Sequence, residues 1–176
     1  MKISILVNNK LSWVNDKCSE FIKTLVSKGH EVKLFDTHRD YEYREIAFFL
    51  GCDKIVPTEY LKYHKYNLVV HESDLPKGKG FSPLSWQVLE GKNKIPVVLI
   101  EAVEKIDEGK IYEKSYIELD GTELLDELRD KQWEVTKNLI LHFLDKYPSV
   151  KSTPQIGEGT YFRKRVSKDD ELDVNK

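Results

Sequence analysis

The chain has 176 residues, 40% of them apolar and 33% charged, with a formal net charge of −2. That length supports one sizeable core and leaves little material for a second. The near-neutral balance offers no broad basic face, which excludes a grip on nucleic acid through phosphates alone, and no apolar run is long enough to cross a bilayer.

The chain opens on "KISILV", a buried-strand run, and turns polar at Asn8 and Asn9. Val14, Cys18, Phe21, Ile22, Leu25 and Val26 then recur at helical spacing as far as Gly29, and "EVKLF" follows as a second strand. Strand, helix and strand in that order imply parallel strands joined by a right-handed crossover. The spacing predicts a second helix over "YEYREIAFFLG", closed by Gly51, then a short strand "KIV" ending at Pro57, a helical turn "EYLKYH" and a strand "YNLVV". Ser82 and Pro83 read as the cap and first position of a helix through "LSWQVLEG". "IPVVLIE" is a further apolar strand, "KIDEGKIY" a turn into a strand through Ile117, and Thr122 to Tyr147 a long amphipathic helix. The remainder is polar and punctuated by Gly and Pro, the composition of a loosely packed tail. Residues 1–150 are thus expected to form one α/β domain, with 151–176 packing on it or trailing from it.

Several familiar motifs fail. No G-x-G-x-x-G follows the first strand, and "KGKGFS" lacks the spacing of a phosphate loop. "HESDL" has Leu75 where a zincin needs its second histidine, and "HRD" at His38 stands in a chain too short for a kinase. Cys18 and Cys52 match no metal-ligand spacing and no leader pattern opens the chain, so a reduced, cytoplasmic protein without a bound metal is expected. What remains is His71 with Asp107. A strand-end histidine and an Asp-x-Gly turn each have bland explanations. Together they lie just past the carboxyl ends of strands in an inferred parallel sheet, where open α/β sheets bind ligands. A carboxylate beside an imidazole orients the ring and lets it move protons near neutral pH.

At these residues the sequence resembles the formyltransferases that use 10-formyltetrahydrofolate. "HESDLPKGKGFSP" is similar to the family's His-x-Ser-x-Leu-Pro loop with its following glycine, and "IDEGKI" to its aspartate turn, with Asp107 placed 36 positions after His71 (107 − 71). "GCDKIVP" resembles the stretch whose main chain cradles the pterin, and "PQIGEGTYFRKRVSKDDELD" the Gln, Thr-Tyr and Asp segment closing the catalytic domain, so the likeness runs from about Gly51 to Asp173. The resemblance implies an α/β fold with a Rossmann-type, mostly parallel sheet and helices on both faces. It also implies His71 and Asp107 as catalytic residues, and Lys54, Ile55, Val56, Ser73, Gly80 and Ile106 as neighbours of the folate, with Leu75 and Pro76 shaping the loop.

Two departures bear on mechanism. The family places an asparagine two residues before the histidine, where this chain has Val69. Losing one oxyanion donor costs roughly 10²–10³ in rate. Asn67 shares the strand face but stands about 6–7 Å further back, so a protonated His71 or a main-chain N–H would have to serve. The first half is also shorter than the family pattern by a strand-helix unit. Among branches of the family, "VNNKLSW" lacks the glycine-rich phosphate loop of purine-pathway members, and the residues given supply neither the RNA-binding domain nor the basic surface of members acting on methionyl-tRNA. The resemblance therefore points to the sugar branch: formylation of a nucleotide-linked amino sugar, with no nucleic-acid or membrane partner and a homodimer left open. Asn8, Asn9 and Trp13 after the first strand, and Tyr161 in the tail, are the candidate acceptor contacts, with Tyr161 and Gln155 expected to cover the pocket; each has a capping, packing or solvated reading beside it. Rival readings are a non-catalytic relative that binds folate or sugar nucleotide as an accessory in glycan assembly, and a hydrolase that releases formate.

Overall fold

The computed structural model describes residues 1–171 of the chain. Asp173, matched above to the family's closing aspartate, lies outside the described residues. Strands β1 (Lys2–Leu6), β2 (Glu31–Phe35), β3 (Arg44–Phe49), β4 (His64–His71), β6 (Lys94–Glu101) and β7 (Ile111–Glu118) form a six-stranded sheet in the order β2-β1-β3-β4-β6-β7. The first four run parallel to one another, whereas β6 is antiparallel to both β4 and β7, so five of the six strands share one direction. A separate pair, β5 (Lys79–Gly80) and β8 (Tyr161–Phe162), runs parallel in a small second sheet.

Helices α1 (Val14–Ser27) and α4 (Leu125–Lys146) cover one face of the large sheet. They bury Cys18, Phe21, Leu139, Ile140 and Phe143 against Ile3, Ile5, Ile46, Phe48, Leu68 and Leu99. Helix α3 (Pro83–Leu89) adds Leu84 to that core. The other face is covered unevenly, by the four-residue α2 (Thr58–Leu61), a 3₁₀ turn at His38–Asp40 and loops, over Leu6, Phe35, Tyr41, Ala47 and Phe49. Among the described residues no helix is long and apolar enough to cross a membrane.

Three expectations are corrected. The helix read in "YEYREIAFFLG" is strand β3. Ile46 to Leu50 is an unbroken buried run, and a central parallel strand covered on both faces needs apolar residues on both, with Ile46 and Phe48 on one side and Ala47 and Phe49 on the other. "KIV" forms no strand: residues 54–56 belong to a loop in which Val56 packs on the second face and Ile55 stays 65% exposed. The polar tail is not loose over 153–163, because Thr153 bridges Ile111 and β8 pairs with β5.

Candidate active site

His71 is the last residue of β4, 6% exposed, on the face opposite the two long helices. Its position follows from strand alternation, which puts Asn67, Val69 and His71 on one side and Leu68 on the other. Beyond it the chain turns sharply, with the Ser73 N–H donating to the His71 carbonyl at 3.0 Å. The loop then returns so that the imidazole Nε2 lies 2.8 Å from the Gly78 carbonyl oxygen. A carbonyl only accepts, so Nε2 carries the proton of this contact.

Asp107 reaches His71 by a route the sequence analysis did not foresee. It does not follow a parallel strand: β6 reverses direction and ends at Glu101, level with Leu68 in the middle of β4. The connection from β6 to β7 has to double back, and its residues show how. Gly109 approaches the Glu101 carbonyl so closely that a Cβ there would lie 1.7 Å from the oxygen, and Asp107 adopts a left-handed φ of 56°. This brings Asp107 Oδ1 to 3.6 Å from His71 Nδ1, an ion-pair separation for a charged ring, while Oδ2 accepts a 2.8 Å hydrogen bond from the Gly80 N–H. Both side chains are almost fully enclosed, at 7% and 10% exposure. The ring is therefore held at both nitrogens, by a loop carbonyl on one side and a carboxylate anchored to the same loop on the other.

The other named residues divide. Ser73 is buried beside His71 with no partner for Oγ among the described residues. Gly80 lies in β5 at φ 95°, where a Cβ would stand 2.4 Å from the Phe162 carbonyl oxygen, so only glycine lets β5 and β8 meet. Leu75 is buried with Val98 and Ile100, and Ile106 is half exposed beside Asp107. Lys54, Ile55 and Val56 lie in the loop tied to the end of β1 by Asn8, whose Nδ2 donates to the Lys54 carbonyl at 2.9 Å and whose Oδ1 accepts from the Asp53 N–H at 3.0 Å. Asn9 closes a local turn onto the Leu11 N–H at 2.9 Å. Trp13 packs on the main core under the guanidinium of Arg129, 5.8 Å from the ring. The hydrogen bonds of Asn8 and Asn9 are thus spent on loop structure. Tyr161 is 66% exposed, with its ring beneath the Lys79 ammonium and its hydroxyl 3.4 Å from Glu108. Lys79 and Glu108 pair at 2.9 Å, which holds the Glu108 carboxyl below its usual range.

Val69 packs between the two apolar clusters of this face. Asn67 does not substitute for it, because its Nδ2 donates backwards to the carbonyls of Leu61 at 2.8 Å and His64 at 3.4 Å. Two residues escaped the sequence reading. Glu72, the variable position between His71 and Ser73, accepts from Gln132 Nε2 at 2.6 Å; burial pushes its carboxyl up, with His71 and the Gln132 amide pulling the other way. Gln132 on α4 gave no signal beyond its place on an amphipathic helix. Among the described residues, no group of three or more His, Cys, Asp or Glu side chains is placed to hold a metal ion.

Residues 23–144 match the family model described as formyl transferase. The chain belongs to the formyl transferase family. It is 29% identical over 127 residues to the methionyl-tRNA formyltransferase of Sulfurihydrogenibium sp. strain YO3AOP1, which covers 70% of this chain and 41% of that protein. The chain thus spans less than half the length of the curated relatives it matches. Among solved structures, the methionyl-tRNA formyltransferase from Clostridium thermocellum superposes with a TM-score of 0.81 at 26% identity, covering 100% of this chain and 78% of that one. The formyltransferase PseJ from Anoxybacillus kamchatkensis, solved with UDP-4,6-dideoxy-4-formamido-L-AltNAc and tetrahydrofolate, gives a TM-score of 0.65 at 18% identity, covering 92% of this chain and 85% of that one. The formyltransferase fold of the mostly parallel sheet is therefore shared across both kinds of relative.

Proposed function

We propose that this chain transfers a formyl group from 10-formyltetrahydrofolate to the amine of a nucleotide-linked amino sugar. The observation that carries the reading is the enclosed His71–Asp107 pair, held to one loop at Gly78 and Gly80, in a chain of this family. When bound, the folate supplies a formyl group open to attack by an amine. The residues present suit such a ligand. The unpartnered Ser73 Oγ lies beside His71, and the exposed Ile55 offers an apolar surface at the loop matched to the pterin cradle. For the acceptor, support comes from the sugar-nucleotide complex of PseJ and from the absence of a net basic charge.

The protein's own groups divide the work as follows. His71 donates its Nε2 proton to the Gly78 carbonyl at 2.8 Å, which leaves the Nδ1 lone pair to take the proton that the attacking amine loses and to return it to the folate nitrogen as that nitrogen's bond to the formyl carbon breaks. Asp107 balances the charge at Nδ1 and fixes the ring plane. Enclosure of both side chains strengthens these contacts by excluding water.

Calorimetry with 5-formyltetrahydrofolate, followed by assays with UDP- and dTDP-linked 4-amino sugars and with methionyl-tRNA, tests the reading. Binding of the folate and formylation of an amino sugar are expected, with His71→Ala lowering turnover by at least about 10²-fold. Transfer to methionyl-tRNA alone overturns the acceptor, and a bound folate with no transfer to any amine overturns the activity. Val69 favours a second reading, a folate-binding relative with impaired chemistry. Val69→Asn separates the two: it sets an amide at a half-buried position between two apolar clusters and lowers stability by up to about 1 kcal/mol. A large gain in turnover from it would establish the impaired reading.

A further inference from the structure

The segment after α4 grips the partner of each imidazole nitrogen separately. Gln155 Nε2 donates one proton to the Asp107 carbonyl at 2.7 Å and the other to the Gly109 carbonyl at 2.8 Å. Five residues on, Thr160 Oγ1 accepts from the Gly78 N–H at 2.9 Å, the Thr160 carbonyl accepts from the Lys79 N–H at 2.9 Å, and the Thr160 N–H donates to the Pro76 carbonyl at 3.2 Å. Gly78 is the residue whose carbonyl meets Nε2, and Asp107 the one whose carboxylate faces Nδ1.

The contact at Gln155 is chemically specific. The two carbonyls converge from a turn in which Asp107 holds φ 56°, a conformation that costs a non-glycine residue about 1 kcal/mol or more. A side-chain amide nitrogen has two protons, and here each is used on one carbonyl. A carboxylate of the same length would present only acceptors, and a methyl group none. Without the amide, the turn is free to swing the Asp107 side chain, leaving only the Gly80 N–H to hold its Oδ2.

We propose that Gln155 is a positioning residue, setting the Asp107 carboxylate against His71 through the main chain of residues 107–109, and that the 153–163 segment is the strap that fixes the site. The inference rests on the reading of His71 and Asp107 as the reacting pair. It does not need Gln155 to touch substrate, and it reassigns that side chain from the pocket cover expected from sequence. The strap keeps other anchors when Gln155 is changed: Thr153 and Ile111 exchange two main-chain hydrogen bonds at 2.8 Å, and the Phe162 ring stacks on Trp86.

The test uses the full chain with Gln155→Ala, Gln155→Glu and Gln155→Met, the last keeping length while removing the donors and serving if the alanine variant does not fold. Turnover is expected to fall about 10- to 100-fold, as for a small misplacement of a reacting group, while 5-formyltetrahydrofolate affinity changes less than about threefold. In an Asp107→Asn background the same substitutions should add no further loss, because the carboxylate they position is gone. Ring ¹⁵N spectra of His71, recorded without substrate, should change in the Gln155 variants, so the proposal stays testable if no acceptor is formylated. Unchanged ring spectra, or losses that multiply with Asp107→Asn, overturn it.

Discussion

On the face that carries α1 and α4, the sheet contributes Ile3, Ile5, Ile46, Phe48 and Leu68 to one continuous apolar core, whereas on the opposite face the same strands present Ser4, Asn67, Val69 and His71 between smaller clusters. The first face is closed by long helices and aromatic edges: Phe143 meets Phe48, Tyr66 and Tyr112 with ring centroids 6.3, 5.6 and 5.3 Å apart. The second is closed by loops and keeps buried polar atoms without partners among the described residues, at Tyr41 Oη, His64 Nδ1, Asn67 Oδ1 and Ser73 Oγ. Each such atom costs about 1–3 kcal/mol when nothing completes it. The larger apolar core thus lies on one side of the sheet, and the proposed site lies on the side that keeps more of these unpartnered polar atoms.

The largest effect that tests this division is Phe143→Ala. A loss of about 3–5 kcal/mol in urea unfolding is expected, because a large aromatic leaves a cavity among rings that cannot close over it. Folate binding measured in dilute buffer should be unaffected, since Phe143 lies across the sheet from His71. A loss below about 1 kcal/mol, or a folate site that fails with the core, would show that the two faces are not separate.

A second effect, of order 3 kcal/mol, belongs to the site face and to pH. His64 opens β4 and shares a 2.7 Å hydrogen bond with Ser4 Oγ; burial, with Arg44 adding to it, pushes its imidazole from 6.5 down to about 4. The folded state holds this ring neutral while an unfolded chain takes up a proton near 6.5, so stability is full above that pH and falls as pH drops toward 4. Unfolding free energies at pH 7, 5.5 and 4.5 should show this slope, and His64→Asn should flatten it. A wild-type protein with no loss across that interval would place His64 in a more solvated setting than the fold gives it.

Legibility in the sequence follows the same division. The helix-covered face was readable because apolar periodicity reports burial: Val14, Cys18, Phe21 and Leu25 were placed correctly, as were the strands around Ile5, Leu68 and Leu99. β3 was misread because a strand buried on both faces has no alternation to distinguish it from a buried helix. The antiparallel direction of β6 left no trace, since side-chain pattern does not encode strand polarity. On the site face, the structure brings together His71, Asp107 and Gly80, three residues named through the resemblance. The pairing of the strap is invisible to composition for a physical reason, since β5 and β8 join through main-chain groups of Lys79, Gly80, Tyr161 and Phe162; only the resemblance marks residues 154–173 as a segment closing the domain.

Glu72 is the residue at which the two faces meet, and its effect is the smallest and most discriminating. It follows His71 directly but turns toward α4, where it accepts from Gln132. Burial raises its carboxyl above the ordinary 4.5, so the folded state binds a proton more readily than the unfolded chain does, and stability declines as pH rises from that value through the folded one. Glu72→Gln removes the charge and keeps an oxygen for the Gln132 amide. It should therefore raise unfolding free energy at neutral pH by a few tenths to about 1 kcal/mol, with the gain fading toward pH 4. His64 pulls in the opposite sense at the other end of β4, so the two slopes separate cleanly in the His64→Asn background. A gain equal at both pH values would mean packing rather than charge. A gain at neutral pH joined to a loss of turnover would show a carboxylate whose burial costs the fold stability and serves the reaction at His71.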